Sequence, residues 1–172
     1  TDTDSVARLI TDVLRGWFSH RVAGLVFTGW GADRVDVVLN GDVPAATLDE
    51  LLGQVAGRDV NADPFEVRNV LGAGGSIVEG HDGDREWSLA TANLRYGDLE
   101  IGHVFVAREE DHPFGSQDHA LLEGVAAHGG AAFGRAALFG RIRDDYAKTI
   151  AALSATLDLG ERASSGHASR VM

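Results

Sequence analysis

The chain contains no cysteine, which excludes disulfides, thiolate metal sites, cysteine nucleophiles and thioether-linked chromophores. Basic side chains are scarce: 15 Lys and Arg stand against 26 Asp and Glu, a formal charge of -11. Such a surface repels phosphate backbones and anionic lipid, which argues against direct binding to nucleic acid or a membrane. An acidic surface is also an ordinary solubility device, and Lys148 as the single lysine points to compositional bias. Long hydrophobic runs are missing. The longest, Val22 to Phe27 and Leu99 to Val106, fall well short of the roughly 20 residues that cross a bilayer. No basic-then-apolar signal segment opens the sequence, so a cytoplasmic chain is expected. Nor is there a P-loop or dinucleotide fingerprint, because Gly72, Gly74 and Gly75 lack the lysine and the strand-turn-helix setting.

What is present suits one globular domain with a helical extension: 172 residues, 44 % of them hydrophobic. Val6, Leu9, Ile10, Val13, Leu14 and Trp17 recur at helical spacing behind Asp4 and Ser5, two candidate caps. Residues 21–28 and 34–39 read as a hairpin about a glycine-rich turn, and Leu48, Leu51, Leu52 and Val55 as a short helix capped by Thr47. Phe65 to Leu71 is a short strand or irregular segment, and Ser76 to Glu79 follows a flexible turn. Two clearer strands, 86–95 and 99–108, flank Tyr96, Gly97 and Asp98, which suits a hairpin and predicts a sheet with an antiparallel centre.

From Ser116 the period changes. Leu122, Val125, Gly129, Ala132, Ala136, Phe139, Arg143, Tyr146, Ile150, Leu153 and Leu157 alternate spacings of three and four, a heptad seam. Extra apolar residues at Leu121, Phe133 and Leu138 assign the first half to the domain's own sheet. Beyond Ile142 no sheet remains, so a second copy of the same helix is the expected partner, and Gly129, Ala132 and Ala136 would also allow close helix approach.

The stretch LEIGHVFVAREEDHPFGSQDHALLEGVAAHGGAAFGRAALFGRIR resembles the closing part of GAF domains. It has a strand containing glycine (Gly102), a Pro-Phe turn (His112, Pro113, Phe114, Ser116) and a helix opening with Asp118, Leu121 and Leu122. The order of elements over residues 3–143 is similar to the family. The resemblance implies an α/β (α+β) fold with a central antiparallel sheet, terminal helices on one face and a small-molecule pocket on the other. It also implies regulation of a neighbouring output domain and a homodimer formed through the terminal helices. The absence of cysteine excludes thioether bilin attachment and the sulfoxide-reducing branch, and the acidic-lysine motif of mammalian cyclic-nucleotide phosphodiesterase GAF domains is not recognisable.

YAKTIAALSATLDLGERASSGHASRVM resembles the first helix and first metal-ligand motif of HD-type phosphohydrolases, especially the HD-GYP class, through Leu157, Asp158, Arg162, Gly166, His167, Arg170 and Val171. By that resemblance residues 1–143 form the sensor and 144–172 the linker and start of an HD domain. His167 would be its first ligand for a divalent metal, and the complete protein would hydrolyse cyclic dinucleotides. One imidazole does not make a metal site. The other ligands would lie beyond Met172, so the chain as it stands is expected to hold no cofactor and to be non-catalytic.

Within the sensor, alternation places Ile101, His103 and Phe105 on one face of their strand, and Trp87, Leu89, Thr91, Asn93 and Arg95 on one face of the neighbour. His103, Trp87, Thr91, Asn93, Arg95 and Phe105 are the candidate ligand-binding set. His103 is either a satisfied core histidine or a group that hydrogen-bonds a ligand or ligates haem iron. His81, Asp82 and Asp84 read as a metal-binding loop or an ordinary turn. Two functions remain, a regulatory sensor of an unidentified small molecule and a ligand-free dimerisation module.

Overall fold

Asp2, rather than Asp4 or Ser5, caps the first helix: its carboxylate accepts from the Ser5 amide at 2.7 Å. In the computed structural model, which describes residues 2–28, 33–72, 74–80 and 85–168 (backbone alone for 157–168), α1 spans Thr3–Trp17. Val6, Ala7, Ile10, Thr11 and Leu14 form its buried face. Leu9 and Trp17, which share the same apolar spacing, point outward and are 63 % and 62 % exposed.

Strands β1 (Val22–Phe27) and β2 (Arg34–Leu39) pair antiparallel as expected; residues 29–32 between them lie outside the described residues. Next come β3 (Val43–Pro44), α2 (Ala45–Ala56), β4 (Val67–Val70), β5 (Ile77–Val78), β6 (Trp87–Tyr96), β7 (Leu99–Glu109) and α3 (Ser116–Ala168). The main sheet has the order β4-β2-β1-β7-β6. Its β1, β2, β6 and β7 pairings are antiparallel, but β4 runs parallel to β2, so the sheet is mixed rather than antiparallel throughout. A separate two-residue bridge joins β3 to β5. Thr47 is no cap; the helix begins two residues earlier, after Pro44, and Thr47 is buried in its first turn.

The sheet carries a core on each face. Alternation sends Ala23, Leu25, Phe27, Ala90, Ala92, Leu94, Val104 and Val106 against α1 and α3. Val22, Val26, Val35, Val37, Leu39, Phe105 and Ala107 meet α2 on the other side. A carboxylate is sunk in the first layer. The Asp36 carboxylate, 2 % exposed, accepts from Arg34 Nη2 at 2.6 Å and from Asn69 Nδ2 at 2.7 Å. A buried charge persists only when paired and hydrogen-bonded in this way. The antiparallel pairing of β6 and β7 breaks register at Leu94/Arg95, opposite Gly102. A Cβ at Gly102 would overlap the Val26 carbonyl, so only glycine fits this bulge.

α3 is a single helix of 53 residues, and the division expected near residue 143 falls inside it. Its first half packs on the sheet through Leu122, Val125, Ala126 and Phe133, whose ring stacks on Phe27 at 4.8 Å. At Gly129 the close approach is made by α1: Ile10 lies where a side chain would stand. Gly130 and Gly134 sit against the Arg95 backbone and the Tyr96 ring, where a Cβ would overlap both. Beyond the sheet the large apolar side chains are uncovered, Phe139 at 77 % and Tyr146 at 69 %, with Ile142, Ile150 and Leu153 also exposed.

His20, between α1 and β1, is 7 % exposed, with Nδ1 2.8 Å from the Phe18 carbonyl it donates to. Burial lowers its pKa below the usual 6.5, the Phe18 bond opposes that shift, and the Arg15 charge adds to it. The unfolded chain therefore binds this proton more readily than the folded one. His20 contributes no penalty above about pH 6.5, and stability falls as pH drops from there toward the folded pKa. Urea midpoints at pH 7.5 and 5.5 should show a loss in the parent that His20→Gln reduces; equal losses in both would contradict this assignment.

Candidate functional site

The candidate ligand-binding residues lie on the α2 side of the β6–β7 hairpin. Register places Asn93 opposite His103 and Thr91 opposite Phe105. His103 Nδ1 is 3.0 Å from Asn93 Oδ1, the imidazole N–H donating to the amide oxygen, and its Nε2 is 3.7 Å from Glu100 Oε1. The histidine is thus held by a neighbouring side chain. α2 lies over β1 and β7, and beyond it Thr91 and Asn93 are exposed.

The other expected members separate. Phe105 is fully buried among the α2-side residues, its ring lying where a side chain at Gly24 would otherwise stand. Ile101 does not share a face with His103 and Phe105. The bulge opposite Gly102 interrupts the alternation, so Ile101 joins the core under α1 and α3. Arg95, past the same bulge, is exposed and donates to the Asp98 carbonyl at the hairpin turn at 3.4 Å.

Trp87 lies at the far end of β6, in a different setting. With Thr47, Glu50 and Gln54 of α2 and with Arg85, Glu86 and Glu110, it lines an open cavity of about 460 Å³ whose lining does not include His103. Thr47, Glu50 and Gln54 lie three and four residues apart and therefore share a helix face. That spacing was the available signal for them; the approach of Glu86 and Glu110 was not readable without the strand register. The Trp87 indole nitrogen is buried and has no hydrogen-bond partner among the described residues, an arrangement that costs stability unless something else accepts from it.

Glu86 and Glu110 meet across the β6–β7 ladder, the Glu110 amide donating to the Glu86 carbonyl at 2.9 Å. Their side chains also hydrogen-bond, which with the Glu86 charge raises the Glu110 pKa. The rim therefore carries both signs of charge, with Arg85 2.9 Å from Glu109 beside the two glutamates, while the indole N–H favours an acceptor.

No family model, curated protein or solved structure matches the chain. Among the described residues no group of three or more His, Asp or Glu side chains is placed to hold a metal ion, and no helix is long and apolar enough to cross a membrane. His81, Asp82 and Asp84 lie outside the described residues. His167 falls on the backbone of the last turns of α3, with its side chain outside them.

The orphaned indole gives a direct test. Trp87→Phe removes the N–H and keeps most of the ring, so it should leave stability within about 1 kcal/mol of the parent, whereas Trp87→Ala should cost about 3 kcal/mol. Chemical denaturation of the three proteins checks this. A large loss on Trp87→Phe would mean that an acceptor absent from the fold itself satisfies the indole.

Proposed function

We propose that this chain is a non-catalytic regulatory module of the GAF type, which senses a small molecule beside its sheet and passes the signal along α3 to a metal-dependent phosphohydrolase, in the first instance one acting on cyclic dinucleotides. One observation carries the reading: α3 leaves the domain with Phe139, Ile142, Tyr146, Ile150 and Leu153 all exposed at spacings of three and four. A row of that length on a polar helix is what a matching helix covers, and a second copy supplies the matching period. Parallel pairing places each residue against its equivalent and lets a change near the sheet alter the splay of the pair. The phosphohydrolase output rests on the sequence resemblance around His167.

A second reading, a ligand-free dimerisation module, is favoured by the packing around Phe105. The centre of the α2-side face is filled by Val26, Phe105 and their neighbours. The two readings share the dimer and differ in whether the Trp87 cavity is occupied.

The pairing is tested by Ile142→Glu combined with Ile150→Glu. Both side chains lie clear of the core, so the near-ultraviolet spectrum of the domain should be unchanged. Sedimentation should show a dimer for the parent at tens of micromolar and a monomer for the variant. A monomeric parent, or a variant that still dimerises, would contradict the proposal.

A further inference from the structure

On the α1 side of the sheet, away from the Trp87 cavity, Arg34 is held in an unusual way. Its Nε lies 3.1 Å from each carboxylate oxygen of Asp36 and its Nη2 is 2.6 Å from Oδ2, so one edge of the guanidinium is used against a buried partner. Its plane is steadied from below by the Phe27 ring, 5.4 Å from the guanidinium carbon. Only the outward edge is left. There Nη1 meets Asp4 Oδ1 at 2.6 Å, and Asp4 is a very different partner from Asp36: its side chain is 63 % exposed, against 2 % for Asp36.

These groups line a cavity of about 400 Å³ that also takes in Arg8, Asn69 and Arg68. Arg8 stands four residues after Asp4 on the same face of α1, is exposed, and has no ion pair among the described residues. Arg68 is engaged elsewhere, 2.7 Å from Asp49 of α2. The opening thus offers the fixed outer edge of Arg34 and the exposed guanidinium of Arg8, whose charge also reaches the Asp2 carboxylate, with the Asp4 carboxylate already resting on the first. Two guanidiniums, one preorganised, are the arrangement that recognises planar or tetrahedral oxyanions.

We infer that this cavity binds a small organic anion bearing a carboxylate or phosphate, bridging Arg34 and Arg8, and that Asp4 is the chain's own competitor for it. The exposed Asp4–Arg34 pair is weak enough to be exchanged, while the buried Asp36–Arg34 pair keeps the receptor in place during the exchange. An overall charge of -11 disfavours unspecific anion adsorption, so saturable binding would itself point to a built site.

The test is isothermal titration of the full chain with citrate and, separately, inorganic phosphate, at matched ionic strength set by chloride. Saturable binding of one or both is expected, and which of them binds distinguishes a carboxylate ligand from a phosphate one. Asp4→Asn should tighten binding about fivefold by removing the competitor, and Arg8→Gln should weaken it about tenfold. Both positions are exposed, and an unchanged thermal transition in each variant confirms that the fold is kept. Absence of saturable binding to both parent and Asp4→Asn, or affinities indifferent to Asp4 and Arg8, would overturn the inference.

Discussion

Where α3 crosses the β6–β7 hairpin, side chains are missing, and the rest of the architecture follows from that close approach. Gly129 accepts Ile10 from α1, Gly130 lies on the Arg95 backbone, and Gly134 lies on the Tyr96 ring. A methyl group at Gly130 or Gly134 would push the helix off the hairpin, and one at Gly129 would press on Ile10 of α1, because packed interiors have no spare volume. With the contact fixed there, Leu122, Ala126 and Phe133 turn inward onto the core, and α1 packs beside α3 over β1 and β2. The same rotation decides which face the helix presents after it leaves the domain. At 1.5 Å per residue, its 53 residues rise about 80 Å, several times the span of a strand, so half of it must project. The row from Phe139 to Leu153 is therefore a geometric consequence of glycines that lie before it on the same helix.

The two faces of the sheet have separate roles in this account. The α1 and α3 face fixes the course of α3, and buries the Asp36 carboxylate with Arg34 and Asn69 as its partners. The α2 face is apolar over β1 and β7 and becomes polar toward β6, where His103 is held by Asn93 and Trp87 keeps an unpaired donor. A ligand beside β6 would act on the hairpin against which Gly130 and Gly134 rest. That gives a short mechanical route from the Trp87 end of the strand to α3 through one rigid element.

Much of this frame was legible in the sequence, for reasons that explain what was not. The helices and the β1, β2, β6 and β7 strands carry strong apolar periods, and β2 was read with its observed ends because every second residue from Val35 to Leu39 is buried on one face. β4 was left ambiguous and its parallel pairing unread, since Val67 and Val70 are exposed and bear no pattern. The β3–β5 bridge is two residues long, too short to have a period. Ile101 was misplaced because a bulge shifts alternation by one, and a lone glycine does not announce that. The Asp36 network depends on register between strands far apart in sequence, as does the pairing of Glu86 with Glu110. Alternation puts His103 and Asn93 each on one face of its strand, but their pairing depends on the register between the strands. Gly129 reads as a small residue that allows close helix approach, and the helix that approaches it within the chain is α1, through Ile10.

The central claim is that the exposed face of α3 is where two copies meet in parallel. Because the chain has no cysteine, one can be introduced at a single position and its oxidation read without interference. Tyr146→Cys lies on the apolar row, whereas Asp144→Cys lies on the opposite side of the helix. Under mild oxidation at tens of micromolar, the account predicts rapid, near-complete disulfide dimer for Tyr146→Cys and little for Asp144→Cys. Equal crosslinking at both positions, or none at Tyr146→Cys, would contradict it.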